Sequence, residues 1–345
     1  MNALLESWTT PQVSAFLGVV VGLLFGVMAQ RSRFCLRSAT LHFWRGQPDS
    51  TLSVWLLTFG AALVLVQLQI RLGWLQVGEI RQLNTVGSLS GAVIGGLMFG
   101  IGMILARGCA SRLLVLSATG NMRALVAGLV VTVVAQAALR GGLSPLREWL
   151  FQLWPLAADR RNLGLYLPAD AALVGGVVIL ALGWWLGHRV QTSLWLKLGA
   201  VGVGAAVASG WALTQWHASW SFDLVQLKSV SFTGPSADTL MGLINEPRLP
   251  LSFDVGIVAG VFVGSFLASV LGRDFAWQSF NENTGLARYL VGAALMGFGG
   301  MLAGGCAVGA GITGGSVLAS TAWLALLFMW LGAGLTDWLV DRPGR

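Results

Sequence analysis

The three cysteines of this 345-residue chain stand in settings that could support chemistry. Cys109 lies in ARGCASRLL and Cys306 lies in AGGCAVGAG, so each follows a glycine at the end of a long apolar run. Aligning the two cysteines brings the pattern G-x-G-x-x-L-A-x-G-C-A into register at a constant offset of 197 residues. A match of this density predicts an internal duplication. Cys35 fits the scheme more loosely, because Gly26 stands nine residues before it, as a glycine does before each of the others.

A helix that breaks and restarts at these glycines would create a site for an anion. We expect breaks at 108–111 and 304–307, because non-helical backbone inside a membrane must be buried in protein or line a cavity. The restarting helix directs free N–H groups and the positive end of its dipole at the gap. A thiol is a weak donor, so it suits a sulfur-containing anion better than sulfate or phosphate. The predicted substrate-binding residues are Cys35, Cys109, Cys306, Gly108, Ala110, Ser111, Gly305 and Ala307.

Charged residues near the turns leave two interpretations open. Arg107 and Arg112 could attract an anion, or they could be surface anchors that follow the positive-inside rule. Lys197 and Asp337 stand at the ends of apolar segments, so we expect their side chains to reach the interface. No histidine stands at a zinc-site spacing from a cysteine, so we predict no metal, no cofactor and no catalytic residue.

Composition places these residues inside a bilayer. Hydrophobic residues make up 55% of the chain and charged residues only 10%, against about 25% charged residues in an ordinary soluble domain. The 47 glycines suit helices that approach one another closely. The net charge of +7 does not indicate nucleic-acid binding, because Lys and Arg are scattered between apolar segments. An odd number of cysteines in or beside apolar segments argues against a disulfide framework.

We predict an all-α integral membrane protein with about nine transmembrane helices, re-entrant or broken helices, and a pseudo-symmetric internal repeat. The segment 145–161 has the pattern of a short amphipathic helix at the interface. The polar stretch 215–253 is the expected junction between two related halves, about 1–214 and 254–345, of a single transmembrane transport domain, 1–345. Apolar runs of about 17–25 residues are needed to cross a bilayer. The predicted spans are centred near 13–30, 51–70, 87–106, 124–139, 171–187, 195–214, 254–272, 289–304 and 316–340.

The directions of the spans bear on the kind of duplication. With the N-terminus outside and the C-terminus in the cytoplasm, 13 of the 21 basic residues fall inside, as the positive-inside rule favours. The third and eighth spans, which carry the duplicated motif, then run in opposite directions, as in inverted-repeat transporters. The first and seventh spans share a second glycine pattern, which matches Gly18 to Gly256 and places Arg273 at the position of Cys35. These two spans run in the same direction, which a simple inversion forbids.

Three segments resemble the signature segments of the YeeE/YedE family of membrane proteins, which is associated with uptake of thiosulfate and related sulfur compounds. The segments are GVMAQRSRFCLRSA (26–39), GIGMILARGCASRLLVLSATGN (100–121) and GFGGMLAGGCAVGAGITGGSVLASTAW (297–323). The resemblance implies a bacterial inner-membrane permease in which Cys35, Cys109 and Cys306 line the path of thiosulfate. It also implies a cytoplasmic sulfur carrier of the TusA type as a partner. Two features depart from the family pattern: Arg112 replaces an expected glycine, and LRSATLHFW follows the first cysteine in place of an acidic continuation.

Four functions are consistent with these residues. The leading hypothesis is a permease in the lipid bilayer, not an enzyme, in which Cys109 and Cys306 hold a sulfur-containing anion from opposite sides and Cys35 adds a contact. The alternative is a membrane sulfur or selenium transfer protein that uses a cysteine persulfide relay to a cytoplasmic carrier. A path for a soft metal such as Cu(I) and a membrane scaffold without a transport role are the remaining hypotheses.

Overall fold

Helices account for almost all of the regular structure of this protein. The computed structural model describes residues 8–168, 170–279 and 285–341. Within these residues, nine helical segments are long and apolar enough to cross a membrane, which confirms the predicted fold class and number of spans. The segments are Thr10–Trp44, Ser50–Arg71, Gly91–Ala118, Met122–Arg140, Ala171–Arg189, Leu194–Trp220, Phe253–Leu271, Leu286–Gly314 and Ser320–Asp341.

Short breaks divide several of these segments into separate helices. The α-helices are α1 (Thr10–Ser32), α2 (Leu36–Trp44), α3 (Ser50–Arg71), α4 (Arg81–Asn84), α5 (Gly96–Leu105), α6 (Ala110–Ala118), α7 (Met122–Arg140), α8 (Ser144–Gln152), α9 (Ala171–Arg189), α10 (Leu194–Trp220), α11 (Thr233–Asn245), α12 (Phe253–Leu271), α13 (Leu286–Leu302) and α14 (Ser320–Thr336). The π-helical stretches are π1 (Gly91–Gly95), π2 (Ala307–Gly314) and π3 (Asp337–Asp341). Short 3-10 turns occur at Val77–Glu79, Ala158–Arg160 and Leu163–Leu165, and strand β1 (Gly87–Ser88) pairs antiparallel with β2 (Pro155–Leu156).

Glycines let α1 and α12 touch backbone to backbone. A Cβ added at Gly22 would lie 2.5 Å from the carbonyl oxygen of Ile257, and one at Gly26 would lie 2.5 Å from that of Val261. The contacts advance along both helices in the same order, so α1 and α12 run parallel. This geometry confirms the direction inferred for the first and seventh spans, and such close packing requires small residues.

The helices that carry the duplicated motif, α5 and α13, pack through glycines in the opposite order. A Cβ at Gly95 would lie 2.6 Å from the carbonyl oxygen of Gly299, and one at Gly102 would lie 2.5 Å from that of Gly292. Early residues of one helix meet late residues of the other, so the pair is antiparallel. In addition, α5 packs against α14, and α13 packs against α7. These contacts are equivalent if an inversion relates α5, α6 and α7 to α13, π2 and α14. The parallel pair α1 and α12 is not related by this inversion.

Replacing Gly22 with leucine is expected to destabilise the protein, because the new side chain would overlap backbone atoms of α12. Overpacking of this kind costs typically about 1–3 kcal/mol of unfolding free energy. We expect a lower melting temperature in detergent and a smaller monodisperse peak in size-exclusion chromatography. Gly175→Leu is the matched control, because a Cβ at Gly175 meets no atom within 4 Å. Equal losses in the two variants would contradict this account of the contact.

The amphipathic helix predicted over 145–161 is shorter in the structure. It is confined to α8, which ends at Gln152. The chain then extends at Pro155 and Leu156 to pair with β1, so backbone pairing replaces the last helical turns. The prediction over the remainder of this segment was therefore wrong.

The polar stretch 215–253 is more than a connector. Helix α10 continues into it as far as Trp220, and α11 occupies its centre. Val230 and Phe232 are buried, and the ring centroid of Phe232 lies 5.0 Å from that of Phe25 on α1. The extended chain that precedes α11 is thus part of the protein core.

Two charged side chains that were expected to reach the interface are buried instead. Lys197 is 5% exposed, and its Nζ atom lies 5.0 Å from the centroid of the Trp184 ring. Asp337 is 0% exposed and forms an ion pair with Arg45, with 2.5 Å between Oδ1 and Nη2. The prediction was wrong because each side chain has a protein partner that compensates for the loss of water.

Candidate functional site

Each cysteine stands directly before a short helix that follows a break in a longer one. Cys35 is the N-cap residue of α2, Cys109 that of α6 and Cys306 that of π2. We name these three short helices the cysteine arms. The breaks predicted at 108–111 and 304–307 are present, because α5 ends at Leu105 and α13 ends at Leu302. The break before Cys35 was not predicted.

The same backbone turn leads into each cysteine arm. The residue two positions before the cysteine has a positive φ, which is 53° at Arg33, 55° at Arg107 and 83° at Gly304. The next N–H group donates to the carbonyl five residues back, over 2.7–3.2 Å, and so closes the preceding helix. The three cysteines therefore occupy equivalent positions in one repeated backbone motif.

The same kind of turn ends other helices as well, among them α12. Arg273 has a φ of 57°, and the N–H group that follows it donates to the carbonyl five residues back at 2.8 Å. In this turn Arg273 occupies the position that Arg33 has before Cys35, and the alignment of Arg273 with Cys35 stays a prediction. Phe275 stands at the cysteine position, and no helix follows in the described residues 274–279. The glycines that suggested the other alignment are a packing surface between α1 and α12.

The cysteine arms extend toward both faces of the protein. We name the face at which α1, α12 and α14 end the arginine face, and the face at which they begin the N-terminal face. The turn before Cys109 lies inside the protein. Ala106, the residue after α5, contacts Gly292, and Gly292 lies about 9 Å along α13 from the first residue of that helix. From there α6 runs to the arginine face, where the chain meets Gln278 beyond α12, whereas π2 leads to Ser320 at the N-terminal face.

The thiols are buried and free. The exposed fractions are 0% for Cys109, 1% for Cys306 and 8% for Cys35, and none of them forms a disulfide. Cys109 Sγ lies 3.4 Å from Ser111 Oγ, and Cys306 Sγ accepts a hydrogen bond from the N–H of Gly309 at 3.4 Å. Cys35 and Cys109 interact with each other directly. Two thiols thus form one cluster, and the third belongs to the arm from the other face.

Arg112 supplies a positive charge at the paired thiols. Its side chain is half-buried, and its Nη1 atom is buried without a hydrogen-bond partner among the described residues. The guanidinium interacts electrostatically with both Cys35 and Cys109. A buried donor without a partner is rare in native proteins, because leaving it unpaired costs stability. The arrangement of Arg112 and the two thiols is therefore suited to binding an anion.

Two other arginines behave differently. Arg37 lies on α2, interacts electrostatically with Cys35, and has a buried Nε atom with no hydrogen-bond partner among the described residues. The sequence argument did not single out Arg37, because a basic residue beside an apolar span is typical of a surface anchor. Arg107 is exposed, and its guanidinium carbon lies 6.0 Å from the centroid of the Tyr289 ring. The structure thus brings Arg112 and Arg37 to the thiols and turns Arg107 away.

The remaining predicted residues belong to the turns and to the first helical turn of each arm. Gly108 and Gly305 precede the cysteines, and Gly305 has a φ of 157°. Ala110, Ser111 and Ala307 follow them and are buried. Their role in binding stays a prediction. Within the part of the chain that the structure describes, no cluster of three or more His, Cys, Asp or Glu side chains could hold a metal ion.

An extended segment of the polar stretch packs against π2. The carbonyl of Val230 accepts a hydrogen bond from Thr313 Oγ1 at 2.6 Å. Ser231 fills the space beside Gly309, so that a side chain at Gly309 would collide with it. The sequence argument missed this segment, because polar composition indicated a connector. The only available signal was its alternation of serine and threonine with apolar residues.

A cavity of about 770 Å³ opens near the N-terminal face between α7, α11 and α12. Lys228, at the start of the same extended segment, lines it and forms an ion pair with Asp254 over 2.5 Å. Arg140 and Asp238 line it as well. Burial, together with the negative charge of Asp254, raises the pKa of Asp238, and Arg140 and Lys228 oppose that rise. Lys228, the residue of the extended segment that lines the cavity, stands three positions before Ser231 in the chain.

Replacing Asp337 with asparagine is expected to lower the unfolding free energy by about 1–2 kcal/mol, because the buried side chain loses its charge-assisted hydrogen bonds with Arg45. Arg45, its partner, ends α2, so we also expect faster maleimide labelling of Cys35 as the arm loosens. Thermal melting and labelling rates measure the two effects. Asp170→Asn is the control, since its ion pair with Arg71 is exposed and such pairs contribute under about 1 kcal/mol. Similar losses in both variants would contradict the anchoring role.

Comparison with known proteins gives consistent matches over most of the chain. The family model described as Sulphur transport matches residues 31–335, a range that contains all three cysteines. The thiosulfate transporter TsuA of Escherichia coli (strain K12) is 27% identical over 350 residues, which cover 95% of each chain. The thiosulfate transporter TsuA of Spirochaeta thermophila is 27% identical over 342 residues, which cover 94% of this chain and 98% of the relative.

Proposed function

Because the chain belongs to the sulphur-transport family, also known as YeeE/YedE, we propose that it is a permease for thiosulfate or a closely related sulfur-containing anion. It is a multi-pass membrane protein of a family of sulfur-compound transporters. The observation that carries the finer proposal is the cluster of Cys35, Cys109 and Arg112 at the inner ends of two cysteine arms, in which Nη1 of Arg112 has no hydrogen-bond partner among the described residues. The relatives named as thiosulfate transporters support the same substrate.

The chemistry of the cluster fits thiosulfate in three respects. Arg112 compensates for the negative charge that the ion brings into the membrane. The S–H groups of Cys35 and Cys109 donate weakly to the polarisable terminal sulfur, and the free N–H groups at the start of α6 favour the oxygens. None of these contacts requires a covalent bond, so the ion can leave as readily as it arrives.

The proposed path crosses the protein from the N-terminal face to the arginine face. An ion that enters near Lys228 reaches Cys306 first and the paired thiols of Cys35 and Cys109 afterwards. We propose that the protein lies in a bacterial inner membrane, with the N-terminal face outside and the arginine face in the cytoplasm. The excess of basic residues at the arginine face supports this orientation. Two residues of that count, Arg342 and Arg345, lie outside the described residues.

A persulfide relay is the second candidate function, and the direct interaction of Cys35 with Cys109 favours it. In that mechanism one thiolate attacks the sulfane sulfur of thiosulfate, the sulfur–sulfur bond breaks, and sulfite leaves with the bonding electron pair. The neighbouring thiolate then takes the sulfane sulfur and passes it on to a thiol of a cytoplasmic carrier. The carrier of the TusA type implied by the family resemblance is the proposed partner in either mechanism, docked at the arginine face.

Uptake by proteoliposomes tests the proposal. Purified protein is reconstituted into lipid vesicles, and the internal contents are assayed for intact thiosulfate and for sulfite after addition of external thiosulfate. Intact thiosulfate inside, with no added sulfur mass on any cysteine, is the expected result. Sulfite release together with one added sulfur atom on Cys35 or Cys109 would support the relay instead. Vesicles that take up no more thiosulfate than protein-free vesicles would contradict both functions.

A further inference from the structure

The hydroxyl of Ser231 is free and lies beside the Cys306 arm. Ser231 occupies the space in front of Gly309, the residue whose N–H group donates to Cys306 Sγ. The side chain is half-buried, and its Oγ atom makes no hydrogen bond with the described residues. Ser231 thus brings an unused donor to the residue that contacts the thiol.

Thr233 places a second free hydroxyl on the other side of the same turn. It is 1% exposed, and its Oγ1 atom is buried without a hydrogen-bond partner among the described residues. A Cβ added at Gly300 would lie 3.2 Å from that atom. The carbonyl of Gly300 accepts the 2.7 Å hydrogen bond that closes the turn before Cys306. A buried hydroxyl without a partner is costly, so its retention calls for an explanation.

Neighbouring hydroxyls are engaged within the protein, which distinguishes the two free ones. Ser229 Oγ donates to the carbonyl of Val207 at 2.6 Å. Thr214 Oγ1 donates to the carbonyl of Lys228 at 2.9 Å. These hydrogen bonds fix the extended segment against α10, and they leave Ser231 and Thr233 available for a ligand.

We propose that Ser231 and Thr233 are specificity-determining residues, which donate hydrogen bonds to the oxygen atoms of a sulfur oxyanion while its sulfur contacts Cys306. This inference rests on the proposed transport function and adds a recognition element for it. Gly300 and Gly309 lie on either side of Cys306 in the chain and face these two hydroxyls. The lack of side chains at both glycines keeps the hydroxyls next to the turn.

The hydroxyls and the thiol bind different atoms of the ion because they differ in hydrogen-bond donor strength. A hydroxyl is a full hydrogen-bond donor that suits a charged oxygen, whereas a thiol is a weak donor that suits a large, polarisable sulfur. A site with both kinds of donor selects an ion that carries both kinds of acceptor. Hydrosulfide, which has no oxygen, would gain less from the two hydroxyls than an oxyanion does.

Thr233 also connects the two ends of the proposed path. A cavity of about 170 Å³ between α6, α7, α11 and α12 is lined by Thr233 and by Ala110, the residue that follows Cys109. Thr233 therefore lies between the Cys306 turn and the Cys109 arm. An oxyanion that leaves Cys306 would keep this donor until it approaches the paired thiols.

Transport kinetics in proteoliposomes test the inference. Ser231→Ala and Thr233→Val are each expected to raise the KM for thiosulfate about tenfold, the usual loss for one hydrogen bond to a charged group, with little change in maximal rate. Thr233→Ser keeps the hydroxyl and should keep the wild-type KM. Ser229→Ala is the matched control with an unchanged KM, because its hydroxyl is already used by Val207. Inhibition by hydrosulfide should change much less among these proteins than the KM for thiosulfate.

The readouts separate recognition from support of the fold. Thr233→Val has the same shape and removes an unsatisfied hydroxyl, so we expect its melting temperature to be unchanged or raised. Unchanged KM values in Ser231→Ala and Thr233→Val, or a parallel weakening of hydrosulfide inhibition, would overturn this inference and leave the transport proposal intact. Failure of the wild-type protein to transport thiosulfate would overturn both.

Discussion

Replacing Cys109 or Cys306 with alanine is expected to lower thiosulfate uptake by about ten- to a hundredfold at low substrate concentration. Both thiols are almost completely buried at the inner ends of their arms, so a lost donor there is expected to weaken binding. The fold should tolerate the change, because each turn is closed by main-chain hydrogen bonds. Initial uptake rates in proteoliposomes, normalised to the amount of folded protein, measure the effect.

Two controls make the cysteine prediction specific. Ser117→Ala alters a side chain on the same arm as Cys109 whose hydroxyl only caps the carbonyl of Leu114 at 2.7 Å, so uptake should be unchanged. Cys109→Ser retains a small donor and should lose less activity than Cys109→Ala. Normal uptake by folded Cys109→Ala and Cys306→Ala proteins would show that the thiols are not part of the path.

Replacing Arg112 with glycine is expected to move transport and stability in opposite directions. The KM for thiosulfate should rise by about tenfold or more, because the guanidinium that compensates the anion at Cys35 and Cys109 is lost. The melting temperature of the ligand-free protein should rise, because a half-buried cation with an unsatisfied Nη1 atom is removed. Uptake kinetics and thermal melting in detergent measure the two changes.

Two further variants, Arg112→Lys and Arg107→Gly, make the Arg112 prediction specific. Arg112→Lys keeps the charge and should recover part of the affinity, but it cannot present two parallel N–H groups to an oxyanion. Arg107→Gly changes an exposed arginine in the same turn, so its effect on KM should be smaller than that of Arg112→Gly. A lower melting temperature of Arg112→Gly, with an unchanged KM, would assign Arg112 to the fold and not to the substrate.

Several elements of the fold could be predicted because a single physical constraint dominates them. A span needs about 20 apolar residues to cross the bilayer, and this requirement identifies the nine spans. Because successive spans alternate in direction, the number of spans between α5 and α13 correctly predicted that the two helices are antiparallel. The breaks at Gly108 and Gly305 were predictable, because the motif is repeated and a glycine stands directly before each of these cysteines. The break before Cys35 was missed, because no glycine stands directly before that cysteine, although Arg33 adopts the same left-handed conformation there as Arg107 does before Cys109.

Other parts of the site depend on tertiary contacts that composition does not reveal. The segment around Val230 is polar on average, yet its backbone groups are satisfied by Thr313 and Thr214 and its apolar side chains are buried. Likewise, the pairing of Cys35 with Cys109 joins residues 74 positions apart, and no periodicity in the sequence indicates it. The roles of Arg37 and Ser231 became visible only when the arms were placed in space.

The turn at Arg273 is a cysteine-free comparison that the protein itself provides. It has the same left-handed residue and the same closing hydrogen bond as the turns at Arg33, Arg107 and Gly304, yet Phe275 stands where they have a cysteine. The backbone motif therefore forms without a thiol, so folding alone places no demand for cysteine on the other three turns. A thiol at each of those three positions is therefore available for a role other than closing the turn.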